Sequence, residues 1–175
     1  MKKILSVAAL AIMAFAENYA GLQITNDTLA VSAQAQITEN NIYARGMFLY
    51  NDEDNKYNFY SVGVKGEGNL IGVNMENIKF SLLLDLVHTK DNTAVPVGIG
   101  AFGYIPNLDY PVFVRGEFEY APKILSFDDA DRFSKVDIQT GIQPIENGEI
   151  FVGYRNISFN HNYDSGFYGG IGYHF

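Results

Sequence analysis

The chain has 175 residues, with 13 Phe, 12 Tyr and 17 Gly but no Cys or Trp, and its 20 acidic residues outnumber 12 Lys plus Arg. The missing cysteines exclude disulfide scaffolds, thiol nucleophiles, Cys-ligated zinc and iron–sulfur clusters. The acidic balance argues against a nucleic-acid partner, whose phosphates need clustered Lys and Arg.

Met1-Lys2-Lys3 is a positively charged start, residues 4–14 form an apolar run, and Ala14-Phe15-Ala16 places small residues where signal peptidase needs them. The expectation is a signal peptide over 1–16, cleaved between Ala16 and Glu17, because the run is too short to span a bilayer as a helix. Its removal leaves 159 residues, and the loss of Lys2 and Lys3 takes the formal charge from −8 to −10. The remaining chain, 17–175, reads as one exported domain.

From there the pattern has a period of two. Candidate strands fall near 18–25, 29–37, 41–50, 58–66, 78–88, 94–104, 111–120, 134–143, 149–158 and 166–175. Val112, Val114, Phe118 and Tyr120 alternate with Arg115, Glu117 and Glu119, and Val136, Ile138, Thr140 and Ile142 alternate with Lys135, Asp137, Gln139 and Gln143. At the C-terminus Phe167, Gly169, Ile171, Tyr173 and Phe175 share one face, and Tyr168, Gly170, Gly172 and His174 the other. Polar turn stretches separate these runs, and Ser126 to Phe133 is the one segment expected to be helical, with Ser126 as its cap.

Such alternation fits a soluble β-sandwich or lipocalin-like barrel with its apolar face inside, or a transmembrane barrel with its apolar face outside. Charge placement favours the second. Arg45, Lys65, Arg115, Lys135 and Arg155 nearly balance Asp85, Glu117, Glu119 and Asp137 on the polar strand faces, and the other acids are assigned mostly to connections. A balanced set suits a confined lumen, where charges must pair. These nine residues and His174 are the lumen-lining candidates.

The fold expected is all-β, a single antiparallel transmembrane barrel of ten strands, with eight as the alternative. Ten strands of about ten residues leave room for nine connections, including the long one over 121–133. With both termini in the periplasm, 51–57, 89–93, 121–133 and 159–165 lie outside and 38–40, 67–77, 105–110 and 144–148 inside. In a barrel this narrow the charged side chains fill the interior as a salt-bridge plug or line a narrow channel, with Gly98 and Gly100 leaving space for water.

Catalytic chemistry finds no support. Outer-membrane lipid A deacylases use a His-x-Ser pair, but Tyr163 follows His161 at that spacing and Lys90 follows His88. His161, Asp164 and Ser165 sit too close in sequence for nucleophile–base–orienter geometry. His174 reads as a hydrogen-bonded lumen residue. Asp52-Glu53-Asp54 and Asp128-Asp129-Ala130-Asp131 are acidic outer loops that offer oxygen ligands to divalent cations without the spacing of an EF-hand. No catalytic, cofactor-binding or metal-ligating residues are assigned.

The terminal alternation of Phe167, Ile171, Tyr173 and Phe175 resembles the C-terminal signal of Gram-negative outer-membrane proteins, read by the barrel-assembly machinery. Further residues resemble one family. The stretch Pro96-Val97-Gly98-Ile99-Gly100-Ala101-Phe102-Gly103-Tyr104-Ile105-Pro106, the runs from Pro111 to Phe133 and from Pro144 to Ile157, and the closing Phe-Tyr-Gly-Gly-Ile-Gly-Tyr-His-Phe are similar to the YfaZ family of outer-membrane proteins. The resemblance covers about 96–175 and is most specific at Tyr120-Ala121-Pro122 and Ser126-Phe127. It implies an exported barrel and supplies no catalytic residues. The expected function is a narrow pore or a structural membrane protein, monomeric, without cofactor and in contact with outer-membrane lipid and lipopolysaccharide. The alternatives are a lipid-modifying enzyme or lipid-binding barrel, and a soluble periplasmic domain.

Overall fold

A computed structural model describes residues 18–52, 58–69, 78–108 and 110–175. The expected signal peptide, Glu53, Asp54 and the 70–77 part of one connection lie outside the described residues, as does the His161 side chain.

Twelve strands are described: β1 (Asn18–Ile24), β2 (Thr28–Thr38), β3 (Ile42–Asn51), β4 (Phe59–Gly68), β5 (Ile78–His88), β6 (Asn92–Ala94), β7 (Val97–Ile105), β8 (Val112–Ala121), β9 (Ser126–Asp128), β10 (Phe133–Ile145), β11 (Gly148–Phe159) and β12 (His161–His174). Ten of them close a ring. Each long strand pairs antiparallel with its successor, and the register Tyr19↔His174 to Ile24↔Gly169 joins β12 back to β1. Closure leaves no barrel edge open to pairing with another chain. Short β6 and β9 pair with each other as a ribbon beside the ring.

An even number of strands puts both ends of the ring's chain at one rim, here the terminal rim. The turns are made by residues that accept left-handed backbone. Asn41, Asn107, Asn147 and Asn160 have φ of 56°, 63°, 67° and 51°. Asn tolerates this region because its short side chain bonds locally.

The period of two decides what faces where. Leu82, Leu84, Leu86, Ile99 and Val152 point outward, Leu82 with 72% of its surface exposed. Aromatic side chains mark both ends of this apolar band: Tyr50, Tyr60 and Tyr120 toward the far rim, Tyr173 and Phe175 at the terminal rim. Phe167, Ile171, Tyr173 and Phe175 all project from the outer surface, and the last two rings stack at 6.1 Å.

The interior is not uniformly polar. Inside the far rim, Ala30, Leu49, Phe59, Val87, Phe133, Ile157 and Phe159 form a buried apolar cluster, with Phe133 and Phe159 centred 4.8 Å apart. Ala130 and Leu125, from the connection between β8 and β10, pack into it, so that connection folds across the mouth as a lid. A second cluster, Phe113, Phe151 and Tyr168 with Phe102, fills one side of the terminal half.

Several sequence expectations are corrected. Ser126 to Phe133 is not helical: a single 3-10 turn, Lys123–Leu125, precedes the β9 strand, and Ser126 ends that turn instead of starting a helix. Its hydroxyl donates to the Pro122 carbonyl at 3.0 Å, behind it in the chain, so it caps no N–H groups ahead. The 159–165 connection is a tight turn at Asn160, and β12 starts at His161, because left-handed Asn160 reverses the chain at once. The sixth barrel strand begins at Val97 instead of residue 94, since Pro96 lacks the N–H that a ladder needs. Ten strands, not eight, are present.

Phe133 is fully buried between the Phe59 and Phe159 rings. Phe133→Ala is expected to destabilise the barrel by about 3–5 kcal/mol, measured by urea titration of protein folded into lipid vesicles.

Candidate functional site

Below the apolar cluster the lumen is lined by charge. All ten lumen candidates read from the sequence turn inward, because each sits an even number of residues from its inward neighbours on the same strand. Three clusters result.

The central belt gathers around Arg45 of β3. Its guanidinium reaches Glu119 at 2.7 Å, Glu117 at 3.1 Å and Asp85 at 3.1 Å, from β8 and β5 across the barrel. Lys135 of β10 binds the same Glu119 oxygen at 2.9 Å, and Ser61 donates to Asp85 at 2.8 Å. Lys65 binds Glu67 at 2.6 Å and Gln34 at 3.2 Å.

The second cluster lies toward the far rim, around Arg155. It donates to Asp164 at 2.7 Å, to Gln23 at 2.6 Å and to Thr28 at 3.2 Å, and lies 5.3 Å from the Tyr168 ring centre. The Tyr168 hydroxyl donates to Asp137. The third cluster is at the terminal rim, where Arg115 approaches Glu149 at 3.4 Å and Gln139 at 3.3 Å, with Tyr19, Phe102 and Phe113 rings 5.3–5.5 Å away. His174 stands 3.4 Å from Glu149, so it is a hydrogen-bonded lumen residue, as expected.

Sequence reasoning did not count Glu67, Glu149 and Asp164 among the lumen residues: it assigned Glu67 and Asp164 to connections and Glu149 to the first position of the 149–158 strand. All three belong to strands and pair with Lys65, Arg115 and Arg155, so the acids are less segregated into loops than expected. Alternation along β11 carried the signal for one of them, since Glu149 is six residues from Arg155 and shares its face. Gly98 and Gly100 do not open a water space either. A Cβ on Gly98 would lie 2.7 Å from the Glu119 side chain, and one on Gly100 2.5 Å from the Ser81 hydroxyl. The glycines admit the neighbouring polar side chains to the wall.

A cavity of about 640 Å³ remains, lined by Tyr19, Tyr43, Lys79, Tyr104, Asn147 and His174 toward the terminal rim and by Met47, Ser32 and Ser61 at its floor. Among the described residues it faces the terminal rim. The apolar cluster and lid close the other end. Three polar contacts hold the lid: Asn160 Oδ1 accepts the backbone N–H of Asp131 at 2.6 Å and of Arg132 at 3.2 Å, and its Nδ2 donates to the Asp129 carbonyl at 2.8 Å. Lys123 hydrogen-bonds Asp131, and that bond and charge hold the Asp131 carboxyl below the usual carboxylate range.

The acidic loop residues are engaged locally. Asp128 accepts from Thr93 at 2.7 Å, and Thr93 in turn meets His88 at 2.9 Å. Among the described residues no three His, Asp or Glu side chains converge as metal ligands.

No protein-family model matches the chain, and no curated protein does. Solved structures do. The chain is similar to the KdgM porin at 8% identity and a TM-score of 0.50, covering 91% of this chain and 99% of that one. It is similar to the same extent, at 7% identity, to the KdgM porin in complex with disordered oligogalacturonate. The likeness is one of fold, over nearly the whole length of both chains.

Removing one member of the belt should cost far more than removing an exposed pair. Glu119→Gln leaves Arg45 and Lys135 without their shared carboxylate inside the barrel and is expected to destabilise by about 3–5 kcal/mol. Lys123→Gln, which breaks an exposed, solvent-screened lid pair, is expected to leave the midpoint almost unchanged. Urea midpoints of the two variants in vesicles check the contrast.

Proposed function

We propose that the chain is an outer-membrane protein that forms a narrow pore for small solutes, held closed in this conformation by its lid and apolar cluster. The observation that carries this reading is the cavity: a charged lumen inside an apolar exterior, open at one rim and stopped at the other by one connection. The exposed apolar band with aromatic borders supports membrane insertion. The outward Phe167, Ile171, Tyr173 and Phe175 support recognition by the barrel-assembly machinery, and the fold shared with porins supports a role without catalysis. In this reading the termini face the periplasm after removal of residues 1–16, the lid faces lipopolysaccharide, and one chain makes one pore. The residue runs similar to the YfaZ family agree with this assignment. The acidic loop residues Asp52, Asp128 and Asp131 stand on the lipopolysaccharide side, where divalent cations bridge phosphates.

A structural role is the second reading, favoured by the complete burial of Phe59 and Phe133 across the lumen. Planar-bilayer recording separates the two. Asn160→Gly keeps the left-handed turn and removes the side chain that pins the lid, so it is expected to open more often than the parent protein at equal voltage. A double substitution of Glu117 and Lys135 by Gln and Met is expected to raise the size of each opening. Silence from correctly folded parent and variants alike would reject the pore and leave the structural role.

A further inference from the structure

We propose that the blind cavity is a binding site for a small organic anion with a flat apolar body, entering across the terminal rim. Its volume, about 640 Å³, lies within the range of small-molecule sites, roughly 300–1,000 Å³.

The charge facing that space is uneven. Three acids line it, and each is already engaged: Glu67 by Lys65 at 2.6 Å, Glu117 by Arg45 at 3.1 Å, and Asp137 by the Tyr168 hydroxyl. Two of the bases are less fully held. Lys79 lines the cavity and has no ion pair or hydrogen bond among the described residues. Arg115 meets Gln139 and Glu149 at 3.3 and 3.4 Å, whereas Arg45 and Arg155 reach their nearest partners at 2.7 and 2.6 Å. Charge-assisted bonds normally close to about 2.7–2.9 Å. The guanidinium carries five N–H donors, so Arg115 keeps donor capacity for a ligand.

Geometry supplies the apolar half. Tyr19 and Phe102 flank Arg115, with ring centres 5.5 and 5.4 Å from its guanidinium carbon, and both line the cavity. A carboxylate held by Lys79 and Arg115 would rest its body on these rings. Phosphate alone would use the cations and leave the rings idle, which is why a carboxylate on a ring fits better. Lys79 and Phe102 are register partners across β5 and β7, so the cation and the ring stand side by side on the wall.

Binding here does not require the far rim to open, so it stands or falls apart from conduction. The test is a fluorine NMR titration of the full-length mature barrel, folded in nonionic detergent, with 4-fluorobenzoate and with its neutral counterpart 4-fluorobenzamide. Benzoate is expected to bind about tenfold more tightly than the amide, and Lys79→Gln to remove about that factor. Glu67→Gln, which removes an acid from the same wall, is expected to tighten benzoate binding. Heat-modifiable migration confirms that each variant is folded. Equal binding of acid and amide, no binding of either, or an unchanged benzoate affinity in folded Lys79→Gln would each overturn the proposal.

Discussion

A barrel of ten strands encloses too little space for charged side chains to keep a full shell of water, so every charge that points inward has to find an opposite charge or a hydrogen bond there. Desolvating a single unpaired ion costs several kcal/mol, more than most single contacts return. That constraint shapes the interior. Arg45 draws three carboxylates from β5 and β8 toward one point, and Lys135 shares one of them from the opposite direction. Lys135 meets Glu119 on the neighbouring strand, whereas Arg45 reaches Glu117 and Glu119 from a strand four places away around the ring, so the belt ties the wall across its width as well as along its ladders.

The lumen is graded along its axis. Toward the terminal rim it is wet, roomy and charged. At its middle the ion pairs crowd it, and at the far rim phenylalanines and the Ala130 lid exclude solvent altogether. The grading follows from which inward positions carry long polar chains and which carry Phe, Leu or Ala. It also separates two tasks within one barrel: a cavity accessible from one side, and a closure whose polar fastening rests largely on Asn160. The same asparagine makes the tight turn between β11 and β12, which couples the geometry of that turn to the position of the lid.

Much of this was legible in the residue order. Alternation placed every one of the ten barrel strands to within a few residues, and it put Arg115, Glu117 and Glu119 on one face without knowledge of any partner. Counting strands against chain length favoured ten. What alternation could not reveal was where an excursion such as 122–132 goes, because Lys123 to Arg132 carries no period and its Ala130 and Leu125 pack into a cluster with Leu49, Phe59 and Val87, far away in sequence. The helical expectation at Ser126 failed for the same reason: pairing with Asn92–Ala94 outweighed a local capping signal. Glu67 and Asp164 were misplaced because turn residues beside them blurred the strand limits, and Gly98 and Gly100 were read as empty space although side chains from the next strands fill it.

The sequence by itself determined the membrane-barrel fold class, the strand count and the face on which each strand residue lies, since all three depend on a period of two and on chain length, which are local properties. Only the tertiary structure decided that Lys135 and Arg45 share Glu119, that an apolar cluster and a lid fill the lumen at one end, and that Lys79 has no ion partner among the described residues. Those facts depend on which strands meet across the barrel and how far each is shifted along its neighbour, and no stretch of the chain taken alone carries that information.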